Sequence, residues 1–191
     1  MSAALKLQTP SFKWSVQDYL KAEESSEVRH EFVEGDLYAM AGASEEHNFI
    51  SLNIASALRG HLRGKPCKVF IHDMKAKVYA NLTLFYYPDV MVVCDPEDED
   101  RFFKTKPRII VEVVSDSTRN TDTREKLITF IQLPSLEEYV LVEQGKMEVT
   151  VHRRSVNWVA EVLTGADAVL KLNSIGFEMT LREVYEDVFP A

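Results

Sequence analysis

Three charged residues carry the chemistry this chain could perform: Asp89, Glu112 and Lys126. Asp89 follows Pro88 and leads into the apolar run Val90-Met91-Val92-Val93. Glu112 lies inside Ile109-Ile110-Val111-Glu112-Val113-Val114, which otherwise reads as a fully buried strand. An unpaired carboxylate there costs several kcal/mol to desolvate, so it needs a partner, hydrogen bonds or a metal. Two such acids on neighbouring strands, with the backbone carbonyl of Val113, form a donor set for a hard divalent ion such as Mg²⁺ or Mn²⁺. An ion of that kind polarises a phosphoryl oxygen and acidifies water. Lys126 falls early in a predicted helix whose buried face holds Leu127, Phe130 and Ile131. From the flank of that face its ammonium can reach the acids, orient or deprotonate an attacking water, and stabilise charge on phosphate. The chemistry these three residues suit is phosphodiester hydrolysis.

The elements that must position them follow from periodicity and end signals. Ser15 with Asp18 predicts a capped helix to about Glu24. Arg29 to Val33 and Asp36 to Met40 read as a hairpin about Glu34-Gly35. Ser44 predicts the start of a long helix to about Leu62, with Ile50, Ile54 and Leu58 on one stripe. Strands are expected near 68–72, 75–79, 84–93 and 108–114. Asp122 with Glu125 reads as a second capping box, opening a helix to about Leu133. Tyr139 to Val142 reads as a buried strand, followed by an antiparallel pair at 147–152 and 157–162. A terminal helix is expected over 181–188. This order predicts an α/β (α+β) fold: a mixed central sheet flanked by helices, with an antiparallel C-terminal extension. The Glu112 strand, the helix after it and the 139–142 strand have the spacing of a right-handed crossover.

Residues 1–191 suit a single domain with a sizeable core. Hydrophobic residues make up 46% of the chain and charged residues 27%, which places it among soluble globular proteins. No apolar run approaches bilayer length, and the first ten residues lack a secretory signal. Cys67 and Cys94 have no metal-ligand spacing, so the expectation is a cytoplasmic protein with reduced thiols. The net charge of −8 speaks against broad, non-specific DNA affinity but leaves room for a local basic surface. Residues 59–77 supply one, with Arg59, Arg63, Lys65, Lys68, Lys75 and Lys77 against the single acid Asp73. Asp95 to Asp100 is the opposite, with five acids in six residues. No nucleophile elbow, zinc-binding helix or phosphate-cradling glycine motif is present.

Pro88-Asp89, then Val111-Glu112-Val113-Val114-Ser115, then Asp122 and Lys126 resemble the PD-(D/E)XK nuclease superfamily. More narrowly, the chain resembles its restriction-endonuclease-like family known as Uma-two. The hairpin Phe32-Val33-Glu34-Gly35-Asp36-Leu37, His47 and the segment Leu136 to Val142 also fit that pattern, which covers about residues 15–155. The resemblance implies a restriction-endonuclease-like fold and a Mg²⁺- or Mn²⁺-dependent endonuclease. In that family's terms Asp89 and Glu112 bind the metal, Lys126 is the catalytic lysine and Glu34 is an additional acidic site residue. It further implies nucleic acid, expectedly DNA, as partner and a homodimer, for which the strand-rich last third is the candidate interface. In most of the superfamily the lysine stands two residues after the glutamate. Here Val114 holds that place, so the role passes to Lys126 on the following helix. Phe130 replaces a tyrosine common in relatives.

Plainer readings stay open for the same residues. Asp89 can cap a turn, and Glu112 with Lys126 can be a structural ion pair in a catalytically inactive interaction module that kept the fold. Glu34 before glycine can be an exposed turn residue. His47 can be a buried histidine bonded to backbone, and Tyr86-Tyr87 suit strand packing better than base stacking.

Overall fold

The computed structural model of the chain describes residues 13–40, 42–79, 83–115 and 125–189. The opening helix α1 (Val16–Glu23) starts at the expected cap: the Asp18 amide donates to Ser15 Oγ at 3.1 Å. Strands β1 (His30–Val33) and β2 (Asp36–Ala39) form the expected hairpin. Its two turn residues have positive φ, 55° at Glu34 and 86° at Gly35, the turn geometry that matches strand twist. A side chain at Gly35 would meet Lys13 Cβ at 3.0 Å and the Trp14 carbonyl at 3.3 Å, so this glycine also lets the chain before α1 lie against the hairpin. Helix α2 (Glu45–His61) begins at Ser44, whose hydroxyl accepts from the His47 amide at 3.3 Å.

The strands between α2 and the acids form two sheets. β3 (Lys68–Ile71), β4 (Lys75–Tyr79), β5 (Thr83–Tyr86), β6 (Val90–Val93), β7 (Phe103–Lys104) and β8 (Pro107–Val114) precede the short helix α3 (Leu127–Phe130). β9 (Glu138–Glu143), β10 (Glu148–Arg153), β11 (Ala160–Thr164), β12 (Val169–Leu172), β13 (Phe177–Thr180) and helix α4 (Leu181–Val184) follow. One sheet has the order β2-β1-β5-β4-β7; the other has the order β11-β10-β9-β8-β6-β3; β12 and β13 pair as a hairpin. β8 and β9 are parallel, joined by a crossover that contains α3. The other pairings within the six-stranded sheet are antiparallel.

The continuous strand expected over 84–93 is two strands in two sheets. The break falls at Tyr87-Pro88-Asp89. Proline has no amide to give to a ladder, so a central strand cannot run through it. β5 ends in one sheet, and β6 begins in the other one residue after Asp89.

Alternation along β8 divides the core. Ile109, Val111 and Val113 join Ile50, Ile54 and Leu58 of α2 in one buried cluster. Ile110 and Val114 join Ala76, Val78, Leu84 and Tyr86 of the five-stranded sheet, together with Phe130 and Tyr139, in the other. The face that carries Glu112 is therefore roofed by the second sheet and α3. Phe130 is fully buried between the Tyr86 and Tyr139 rings at 5.3 and 5.8 Å.

Several sequence expectations change. Asp122, half of the second capping box, lies outside the described residues, and the described helix there runs only over α3. The terminal helix is one turn, preceded by the unforeseen β12–β13 hairpin. Cys67 and Cys94 are joined in a disulfide, correcting the reduced-thiol expectation. The antiparallel β3–β6 register pairs Lys68 with Val93 and so sets the next residues, Cys67 and Cys94, opposite each other. A sequence separation of 27 gave no sign of that adjacency.

The acidic run 95–100 is an organised loop. Asp98 is buried and accepts from the amides of Thr105 and Lys106 at 2.9 and 2.8 Å. Lys104 Nζ donates to the carbonyls of Asp98 and Asp100 at 2.8 and 2.5 Å. Replacing Asp98 by Ala orphans two amides and should cost roughly 2–3 kcal/mol in urea denaturation. Glu99→Ala, at an exposed neighbouring position, should leave the midpoint in place. Equal midpoints for the two variants would contradict the structural role of Asp98.

Candidate active site

Asp89 enters the site through register. The ladder pairs Val90 with Val111, and the next step outward sets Asp89 beside Glu112. The ladder ends there, and the Asp89 side chain takes over its work. Asp89 Oδ2 accepts the Val113 amide at 2.7 Å, and the Asp89 carbonyl accepts the His72 amide at 3.2 Å. Asp89 Oδ1 lies 3.2 Å from His47 Nε2 and 3.9 Å from His72 Nδ1. A carboxylate on a side chain only 12% exposed is thus tied to α2, to the β3–β4 turn and to β8.

The Pro88 turn is anchored from the other side. The buried Tyr87 hydroxyl donates to Glu23 Oε2 at 2.7 Å, and Glu23 Oε1 lies 2.9 Å from His30 Nδ1. Burial, then the hydrogen bond to Glu23, holds the Tyr87 phenol far above its ordinary range. The Lys75 ammonium lies 5.3 Å from the Tyr87 ring centroid, and burial pushes its pKa down. Tyr86, the last residue of β5, and Tyr87, just after it, are both packed and nearly fully buried.

Glu112 is 3% exposed and Lys126 7%. Lys126 Nζ lies 3.5 Å from Glu112 Oε1 and 2.9 Å from Glu31 Oε1. It also lies 5.5 Å from the Tyr86 ring centroid. Burial raises the Tyr86 pKa, so its ring stays neutral beneath the ammonium. The lysine comes from the turn preceding α3, Glu112 from β8 and Glu31 from β1. Two strands, one from each sheet, and the turn before α3 meet at one nitrogen.

The structure thus brings Glu112 and Lys126 into contact and sets Asp89 beside Glu112 through Val113. It places Glu34 on the exposed hairpin turn. Glu31, three residues earlier and not singled out from sequence, is the hairpin acid in contact with Lys126. Its signal was present: an acid alternating with Phe32, a core residue, inside a short strand. His72 was also missed. It has a positive φ of 43°, uncommon for a residue with a side chain, and it sits beside Asp89. The structure sets His47 against Asp89.

Asp89 and Glu112 offer carboxylate oxygens, the donors that hard divalent ions take. Among the described residues, no three His, Cys, Asp or Glu side chains converge as a ready-made metal cage. Among the described residues, no helix is long and apolar enough to cross a membrane.

The comparisons bear on this architecture. A family model described as "Putative restriction endonuclease" (Uma2) matches residues 16–182. "Uncharacterized protein slr1290" of Synechocystis sp. is 32% identical over 179 residues, 92% of this chain and 93% of that one. "Uncharacterized protein sll1609" of the same organism is 29% identical over 161 residues, 82% of this chain and 90% of that one. Among solved structures, a "putative nuclease belonging to DUF820" from Anabaena variabilis aligns with a TM-score of 0.75 at 15% identity. That alignment covers 91% of this chain and 98% of that one, and it shows a common restriction-endonuclease-like fold.

Removing the Lys126 charge leaves Glu31 and Glu112 facing each other in a dry environment. Lys126→Met should destabilise the fold by roughly 3–5 kcal/mol, read from chemical denaturation. Adding Glu31→Gln and Glu112→Gln to that variant should recover part of the loss. A Lys126→Met protein as stable as wild type would show that the ion pair is not formed.

Proposed function

We propose, from the premise that this chain belongs to the Uma2 restriction-endonuclease family, that it is a divalent-metal-dependent nuclease that hydrolyses phosphodiester bonds. The observation that carries the reading is the convergence of Asp89, Glu112 and Lys126 at one buried junction of β6, β8 and the α3 turn. Asp89 and Glu112 would hold Mg²⁺ or Mn²⁺, with the Val113 carbonyl as a further oxygen. When bound, the ion supplies Lewis-acid polarisation of the phosphate and acidification of water. The chain's own residues do the rest. Val113 and His47 fix the Asp89 carboxylate, so its oxygens need little reorganisation. Lys126 presents a preorganised ammonium to the attacking water or to a phosphate oxygen, where charge accumulates as the bond breaks. The packed roof of the five-stranded sheet keeps bulk water from the buried side of the acids. Glu31 holds Lys126 in place from the opposite side, a positioning role.

DNA is the proposed substrate, and a homodimer through the last third of the chain is the proposed assembly. β11 is an edge strand of the six-stranded sheet, and Val159 and Val162 beside and on it are 67% and 56% exposed. Light scattering behind size-exclusion chromatography should give the mass of two chains for wild type and of one for Val162→Lys. A wild-type monomer at high concentration would remove the dimer from the proposal.

One observation favours a second reading, an inactive interaction module: Lys126 already has Glu31 and Glu112 as partners, as a silent ion-pair cluster would. Two measurements separate the readings. Asp89→Asn should abolish Mg²⁺-dependent cleavage of DNA, a drop of at least about a thousandfold for loss of a metal-holding carboxylate. Calorimetry should register Mn²⁺ binding to wild type and none to Glu112→Gln. Cleavage that survives Asp89→Asn would sink the site assignment; no metal heat and no cleavage in wild type would leave the interaction module.

A further inference from the structure

A basic groove lies outside the acid cluster, at the Lys68 end of β3, the end of that strand away from Asp89. The groove encloses ≈ 420 Å³ and is lined by the end of α2, the 62–67 loop and β3. Its charged lining residues are Arg59, Lys65 and Lys68, and none of the lining residues is acidic. All three basic residues are exposed. Its other walls include Leu62, Pro66 and Phe70. This is a local reversal of sign on a chain with net charge −8.

Direction gives the groove its meaning. It runs along β3, the outer strand of the six-stranded sheet beside β6. Its lining ends at Phe70, and two residues further on His72 sits at the acid cluster, its amide bonded to the Asp89 carbonyl. β3 spans about 13 Å at strand rise. A chain of phosphates laid along this edge would pass from Lys65 and Lys68 to Asp89 with no acidic side chain from the groove lining in its way. The 95–100 loop starts near one end of the groove, because Cys94 is bonded to Cys67 of the lining; its Asp98 is turned inward, whereas Glu97, Glu99 and Asp100 are exposed.

We propose that this groove is a second nucleic-acid contact, distinct from the acids, that grips backbone phosphates on one flank of the bond to be cut. It rests on the nuclease reading for its purpose, because it gives that reading the local positive surface that the overall charge lacks. Arg59, Lys65 and Lys68 contact phosphate and carry no sequence information, so they set register and affinity instead of specificity.

The test is a binding titration without metal, which needs no turnover. A fluorescein-labelled DNA duplex is followed by anisotropy across a salt series for wild type and for R59Q/K65Q/K68Q. Thermal midpoints check that both are folded, and the single variant Lys68→Gln provides a second, milder perturbation. Each lost phosphate contact should flatten the log–log salt slope by about 0.9, so the triple variant should lose roughly 2.7. In cleavage, the triple variant should raise KM more than it lowers kcat. Wild type that binds and cleaves, with a triple variant of unchanged slope and affinity, would overturn the groove and leave the nuclease reading intact. A flattened slope with no cleavage by wild type would uphold the groove and reject the nuclease. No DNA binding by wild type would reject both.

Discussion

The buried ammonium of Lys126 is the interaction on which the site and its surroundings depend. It lies between Glu31 of β1 and Glu112 of β8, so a single charge ties the five-stranded sheet to the six-stranded one. None of the three groups is stable alone at that depth. Each carboxylate needs the cation to offset its desolvation, and the cation needs at least one carboxylate for the same reason. The packing of Phe130 between Tyr86 and Tyr139 fixes the helix that delivers the lysine. Apolar contacts thus set the distance over which the charges act. A loosened aromatic contact would be felt as a longer ion pair.

Pro88 supplies the second constraint. Because it cannot donate to a ladder, the chain must leave one sheet and enter the other at that point. The residue just after such a crossing is near the end of a strand, where ladder partners run out. Asp89 fills that gap by accepting the Val113 amide through its side chain. The proline and the aspartate therefore work as a pair: the chain turns out of one sheet at the proline, and the aspartate side chain supplies the acceptor for the Val113 amide. This explains physically why an acid follows proline here, independent of any catalytic use. The same hydrogen bond leaves the carboxylate oriented, which is the condition a metal site or a phosphate contact requires.

What was legible in the sequence was what depends on local spacing. The Ser15 and Ser44 caps, the Glu34-Gly35 turn and the 139–142 strand follow from periods and end signals, and they hold in the structure. What was not legible depends on which strands become neighbours. Glu31 reaches Lys126 because β1 joins β5 and the two sheets stack; no spacing in the chain reports that. Cys67 meets Cys94 for the same kind of reason, through the β3–β6 register. His72 joins Asp89 because β3 flanks β6, though its sequence position in a polar turn looks unremarkable. The 84–93 run failed at the proline because hydrophobicity on both sides of Pro88 continues while the hydrogen bonding cannot.

Net charge is a poor guide to what this surface attracts. The formal −8 sums acids that differ in kind. Glu112 and Glu31 share a buried cation; Asp98 caps backbone amides; Glu138, 2% exposed, accepts from the Asn173 amide at 2.7 Å and from the Ser174 hydroxyl at 2.5 Å. These acids hold elements together and face inward, while Arg59, Lys65 and Lys68 face a groove. Fields at a surface fall off within about 8 Å at physiological salt, so a ligand in the groove responds first to the basic residues that line it. An acidic protein can in this way keep a basic track. The sequence signal for it was the run 59–77; the fold made that run a surface by laying β3 at the sheet edge beside the acids.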